Sequence, residues 1–298
     1  MSYLLALHEH GHFGRAAEAC FVTQSTLSTG LAELERLLEA RLVERSKRSV
    51  RFTAVGEEVV ARAREVIRAA EDLRTAAQGA REPLVGALRM AAIPTVAPFL
   101  LPAVVAHAGA AWPRLRLLVR EMLTGAACEA LQRGTMDCAL LALPADCGEV
   151  ESCEIMTDRL LLAAPAGAEP SPAGVDPEQL LLLDEGHCLR DQALAACNIA
   201  EASPESRLVA STLHTLVRMV DAGLGVTLLP EMAVAAGLLD GTRVAGRELG
   251  ARAAERRIAL VWRKRNPRAA DLRLLGGTLR EAVGAPAPAP AGQAAAAG

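Results

Sequence analysis

Residues 23–37 read Thr23-Gln24-Ser25-Thr26-Leu27-Ser28-Thr29-Gly30-Leu31-Ala32-Glu33-Leu34-Glu35-Arg36-Leu37. Thr23 is a residue type that opens a helix by accepting from the N–H groups of the first turn. Leu27, Leu31 and Leu34 recur at helical spacing and, with Leu37 and Leu38, predict a face that packs inward. The start of the segment has the opposite character, because Gln24, Ser25, Thr26, Ser28 and Thr29 all carry compact hydrogen-bonding groups. Upstream, Leu4, Leu5 and Leu7 precede Gly11, and Phe13, Ala16, Ala17, Ala19 and Cys20 again repeat at helical spacing. Two helices joined by a break as short as Val22-Thr23 predict a helix-turn-helix.

Working outward, Leu42-Val43-Glu44-Arg45-Ser46-Lys47-Arg48-Ser49-Val50-Arg51-Phe52 places apolar residues on both sides of a basic loop. This is the pattern of a β-hairpin wing carrying Arg45, Lys47, Arg48 and Arg51. Charge alone argues for an ordinary solvated helical domain, since residues 1–83 hold twelve basic and twelve acidic side chains. The coincidence of a hydroxyl-rich helix start with a basic loop favours double-stranded DNA, with side chains able to reach phosphates and base edges in the major groove. His8, His10 and His12 alternate; on a helix such residues diverge, so no metal site is expected there.

Residues 4–58 resemble the winged helix-turn-helix of LysR-type regulators. The family's hFxxAA, SQPxLSxxIxxLE, LFER and TxxG patterns are matched by Phe13-Gly14-Arg15-Ala16-Ala17, Thr23-Gln24-Ser25-Thr26-Leu27-Ser28, Leu34-Glu35, Leu42-Val43-Glu44-Arg45 and Thr53-Ala54-Val55-Gly56. Ser25 stands where the family has Pro. The chain also starts a few residues later than family members do, which suggests an upstream initiation point. Thr53 is a cap for a long helix to about Gly79, along which Val59, Ala63, Val66, Ala70, Leu73 and Ala77 form a two-helix seam. The resemblance implies that this helix pairs two copies, presenting two recognition helices to an inverted-repeat site.

The remainder alternates strand and helix patterns. Strands are expected at 84–93, 115–121, 137–143, 159–164, 180–183, 207–210, 225–229 and 257–263, with helices near 98–109, 125–133 and 212–222. The order predicts an α/β region with a largely parallel sheet, folded as two lobes about a cleft near Thr95 and Thr124, like periplasmic binding proteins. The expected organisation is a winged helix-turn-helix domain at 1–52, a linker helix at 53–82, a two-lobed regulatory domain at 83–283 and a low-complexity tail at 284–298.

The whole chain has 298 residues, 51% apolar and 22% charged, with a net charge of −3. That is an ordinary globular composition. The absence of a long apolar run excludes a membrane-spanning helix, and the N-terminus lacks the pattern of a secretory signal, so a cytoplasmic protein is expected. Seven cysteines without a Cys-x-x-Cys pair give neither a disulfide framework nor the usual zinc spacing. No cofactor is expected.

Among these cysteines, Cys188 and Cys197 stand out in Glu185-Gly186-His187-Cys188-Leu189-Arg190-Asp191-Gln192-Ala193-Leu194-Ala195-Ala196-Cys197. Cys188 falls at an expected helix start between His187 and Arg190, an environment that favours the thiolate. If 188–197 is helical, the two Cα atoms lie about 13 Å apart, beyond the roughly 4.4–6.8 Å of a disulfide. Joining them would require remodelling. Inert buried thiols are the alternative from the residues alone. This segment is similar to that of the peroxide-sensing OxyR subfamily of LysR-type regulators, as are Ile93-Pro94-Thr95, the stretch Met136–Leu143 and the stretch Gly223–Pro230.

The resemblance implies that Cys188 reacts with hydrogen peroxide and Cys197 resolves it. It further implies that Thr95, Thr124, His187 and Arg256 (or its neighbour Arg257) hold the peroxide. Cys20, Cys128, Cys138, Cys147 and Cys153 read as structural. Expected partners are inverted-repeat DNA, hydrogen peroxide, RNA polymerase, thiol reductants and further copies of the chain, as a homodimer or homotetramer. A small metabolite in the cleft is one rival reading. A cysteine-dependent peroxidase is another, though an enzyme has no need of a recognition helix.

Overall fold

The computed structural model describes residues 1–45, 50–79, 82–168, 175–200, 208–249 and 254–284. It divides into two compact units, Met1–Ala80 and Arg81–Gly298.

In the first unit, α1 (Ser2–His10), α2 (Phe13–Ala19) and α3 (Gln24–Leu37) enclose a core of Leu4, Leu7, Ala16, Ala17, Leu27 and Leu31. Each start and stop has a local cause. Gly11 adopts a left-handed conformation and ends α1 by returning its N–H to Leu7. The His12 ring caps α2, and the Thr23 hydroxyl caps α3 by accepting from Thr26 N–H. Leu37 and Leu38 lie exposed instead of packing inward, because α3 ends there and Glu39 turns the chain away with a positive φ.

Strands β1 (Val43–Arg45) and β2 (Val50–Phe52) form an antiparallel hairpin. The wing residues Lys47 and Arg48, and the Arg45 side chain, lie outside the described residues. Thr53 N–H bonds Leu42 O, while its hydroxyl accepts from Gly56 N–H and caps α4 (Ala54–Gly79). A Cβ on Gly56 would stand 2.1 Å from Leu42 O, so the hairpin and α4 can meet only through glycine. Glu35 accepts from the N–H groups of Leu42 and Val43. Val60 and Ala63 of α4 join the head's core, whereas Val66 and Leu73 further along are exposed.

The second unit contains β3 (Gly86–Ala92), α5 (Ala97–Ala111), β4 (Leu115–Glu121), α6 (Thr124–Gln132), β5 (Cys138–Leu143) and β6 (Val150–Pro165). It continues with β7 (Leu182–Leu183), α7 (Cys188–Ala196), β8 (Val209–Ala210), α8 (Leu213–Asp221), β9 (Thr227–Pro230), α9 (Glu231–Ala235), β10 (Val244–Glu248), β11 (Glu255–Arg263) and α10 (Ala269–Gly284). The sheet is mixed, not largely parallel. Strands β4, β3 and β5 run parallel, but β11 pairs antiparallel with both β5 and β6, and β6 pairs antiparallel with β9 and β10. The reason lies in β6, sixteen residues long, whose first part pairs with β11 and whose second part pairs with β9 and β10.

Strand β6 therefore feeds two hydrophobic cores. One gathers β3, β5, β11, α5, α6 and α10; the other gathers the end of β6, β7, β9, α7 and α8. These are the two lobes. Among the described residues, no helix is long and apolar enough to cross a membrane.

Candidate functional site

Thr95 follows β3 and Thr124 opens α6 just after β4, so both stand at the C-terminal ends of parallel strands, where α/β sheets leave a crevice. Strand β11 begins at Glu255, and the register places Arg256 opposite Asp158 on β6, where β6 leaves one lobe for the other. From the second lobe, α7 brings Cys188 as its first residue, behind Gly186 with its positive φ and the capping residue His187.

Arg256 is fully buried. Its Nε donates to Asp158 Oδ2 at 2.9 Å, Nη1 to Thr95 Oγ1 at 3.0 Å, and Nη2 to Thr95 O at 3.1 Å and Met232 Sδ at 3.7 Å. Asp158, also buried, accepts from Met232 N–H at 2.9 Å and so anchors the start of α9 as well. A buried charge of this kind persists only when paired and hydrogen-bonded, and here both conditions hold. Arg257, by contrast, is exposed and pairs with Glu154. Alternation along β11 sends the two arginines to opposite faces.

Cys188 is half-buried and packs against the first lobe's core, while Cys197 caps the other end of α7 and lies in the second lobe's core. Neither is disulfide-bonded. With α7 formed, nine residues of helix hold their Cα atoms about 13 Å apart. Burial pushes the Cys188 thiol above its ordinary value and Asp191 adds to this; the Thr124 hydroxyl, the Arg256 charge and the backbone N–H at the helix start pull the other way. The Thr124 hydroxyl is buried and makes no hydrogen bond of normal geometry, so its effect is that of a dipole beside the thiol.

Burial dominates at Cys188, and the favourable charge comes from Arg256. Arg190 is committed to Leu183 O at 2.9 Å. His187 is buried, and desolvation, opposed by Asp184, holds its pKa below the ordinary histidine value. Burial thus favours the neutral ring. Asp158 and Met232 were not singled out from the sequence; the available signal for Asp158 was a carboxylate at the head of the apolar run Leu160–Ala164.

Cys128 and Cys147 are read from the sequence as structural, without a pairing. They form a disulfide with a Cα–Cα distance of 4.7 Å. Cys138 is a buried thiol whose pKa burial pushes far up, and Cys20 and Cys153 are partly exposed.

In the head, Gln24, Ser25, Thr26 and Thr29 are exposed at the start of α3 and Ser28 is half-buried. The Ser25 and Thr26 hydroxyls each lie 2.8 Å from Thr23 Oγ1, forming a small cluster at the helix tip. Arg51 is exposed on β2. His8 bonds Glu57 and Arg64, both at 3.0 Å, so it ties α1 to α4 and does not converge with His10 and His12.

Residues 1–57 match the lysR-family bacterial regulatory helix-turn-helix protein, and residues 81–284 match the LysR substrate binding domain. The chain belongs to the LysR family. It is 42% identical over 275 residues to the HTH-type transcriptional regulator EstR of Acinetobacter baylyi, covering 90% of each chain. It is 40% identical over 286 residues to a probable hydrogen peroxide-inducible genes activator of Mycobacterium avium, covering 94% of this chain and 92% of that one. Among solved structures, a full-length OxyR variant of Pseudomonas aeruginosa matches with a TM-score of 0.71 at 34% identity, over 94% of this chain and 93% of that one. As a LysR-family protein the chain is a DNA-binding transcription regulator, similar to OxyR in both sequence and fold.

Proposed function

We propose that this LysR-family regulator senses hydrogen peroxide through Cys188, with Cys197 as the resolving thiol. One observation carries the reading: Cys188 opens α7 of the second lobe yet packs against the first lobe's core, where the Thr124 hydroxyl and the buried Arg256 charge both favour its thiolate. The Cys188 thiolate attacks one peroxide oxygen, the O–O bond breaks, and Cys188 becomes a sulfenic acid while hydroxide departs and takes up a proton to become water. Arg256, oriented by Asp158 and Thr95, stabilises the charge on that hydroxide. Cys197 then attacks the sulfenic sulfur, forming the disulfide and releasing a second water.

The second step demands a new local fold. Cys188 must leave the first lobe's core and α7 must unwind, since about 13 Å separates the Cα atoms. Oxidation therefore selects a different arrangement of the second lobe, and thiol reductants reverse it. The readers of DNA are Gln24, Ser25, Thr26, Ser28 and Thr29 on α3, with Arg45, Lys47, Arg48 and Arg51 on the wing. The exposed Val66 and Leu73 of α4, seven residues apart, suit a seam between two copies at an inverted repeat. A dimer of such dimers and contact with RNA polymerase complete the reading.

Non-reducing peptide mapping before and after stoichiometric hydrogen peroxide tests it. A Cys188–Cys197 linkage that forms rapidly and is lost with reductant is expected, and Cys188→Ser abolishes it. Both thiols staying reduced in protein that still binds DNA would overturn the reading in favour of a small organic ligand in the cleft.

A further inference from the structure

The second unit holds two cysteine pairs in opposite states. Cys128 and Cys147 are joined, while Cys188 and Cys197 are reduced. The joined pair links the middle of α6 to the 144–149 loop that connects β5 to β6, and both sulfurs lie in the first lobe's core. Gln132 at the end of α6 donates to Cys147 O, so the same helix and loop are tied twice. Helix α6 opens with Thr124, and Cys128 follows one turn later on the same helical face. Cys188 packs against that same core. The start of α6 packs beside the start of α7, since a Cβ on Gly186 would stand 3.2 Å from Leu123 Cδ1, so a cross-link at Cys128 ties the short helix that lies next to Cys188.

We propose that the Cys128–Cys147 disulfide is a positioning bond for the peroxide site: it holds α6 so that the Thr124 hydroxyl stays against Cys188. This rests on the reading of Cys188 as the reactive thiol. The two pairs differ in kind. Cys128 and Cys147, with Cα atoms 4.7 Å apart, close in place without remodelling, whereas the other pair requires α7 to unwind. Closing the bond removes two electrons and two protons from two thiols. Hydrogen peroxide accepts both, through a sulfenic acid on one sulfur that the other displaces, and leaves as two waters. With the bond open, α6 retains its Gln132 tie but loses the one that fixes its first turn, and the hydroxyl's support for the thiolate weakens.

The test compares the full chain with the Cys128→Ser/Cys147→Ser double variant and with its Ala/Ala counterpart, should buried hydroxyls disturb the fold. Alkylation of Cys188 by iodoacetamide is followed across pH by mass spectrometry. A Cys128–Cys147 peptide is expected in the resting protein. Loss of the bond should move the pH midpoint of Cys188 alkylation upward and slow it near neutrality, by about tenfold for each unit the midpoint moves. Adding Thr124→Val to the double variant should slow it no further. An unchanged rate and midpoint, an additive loss with Thr124→Val, or absence of the linkage from the resting protein would each overturn the proposal. Alkylation requires no peroxide, so its result is separable from the failure of peroxide sensing itself.

Discussion

The head and the cleft place their chemistry by opposite means. At the tip of α3, Gln24 to Thr29 come from one helical stretch, presented by a cap that the same stretch supplies. Around Cys188, the groups converge from six places in the chain, and the Arg256–Thr95 bond alone spans 161 residues. A local site can be altered without disturbing the fold that carries it. A convergent site shares its contacts with the fold, so reactivity and stability change together.

The strongest way to break this comparison is Arg256→Ala. It leaves Asp158 buried without its charge partner, so the second unit should lose about 3–5 kcal/mol and Cys188 its peroxide reactivity, read by urea unfolding and sulfenic-acid trapping. A variant of wild-type stability would show that cleft and fold are separable. Gln24→Ala makes the complementary case. It should weaken operator binding by about 1–3 kcal/mol, as expected for loss of a base contact, with unchanged melting temperature and unchanged Cys188 oxidation, as followed by fluorescence anisotropy and thermal denaturation. The smallest effect is pH-dependent. His187 has a folded-state pKa below its unfolded value, so its contribution to stability is present above about pH 6.5 and is lost as pH falls through that range. His187→Gln should flatten this part of the stability profile; an unaltered slope would mean that the ring is not desolvated.

Legibility in the sequence follows the same division. The caps of α3 and α4 at Thr23 and Thr53 and the opening of α7 at Cys188 were readable because their causes lie within a few residues, whereas the His12 cap of α2 was not read. Leu37 and Leu38 misled because periodicity continues one turn past the point where packing stops. Helix α10 went unread, since Gly276-Gly277 lowers the helical signal; yet a Cβ on Gly276 would approach Cys153 Sγ to 2.6 Å, so the weak former is what lets the helix reach β6. The first part of β6, the Asp158–Arg256 pair and the Cys128–Cys147 bond all depend on partners distant in sequence, for which a periodicity carries no information.

Strand β6 passes from one lobe to the other unbroken, with Asp158 and Arg256 pinned where it crosses. The lobes are consequently joined by a pleated ribbon in addition to side-chain packing such as that of Cys188 on the first lobe's core. Any change of angle between them must twist that ribbon, which acts as a torsion spring whose displacement grows with load and vanishes when the load is removed. Such a connection stores no memory of its own. On the proposed function, persistence of the signal would then belong to the Cys188–Cys197 bond, and the duration of the response would be set by how fast that bond is reduced.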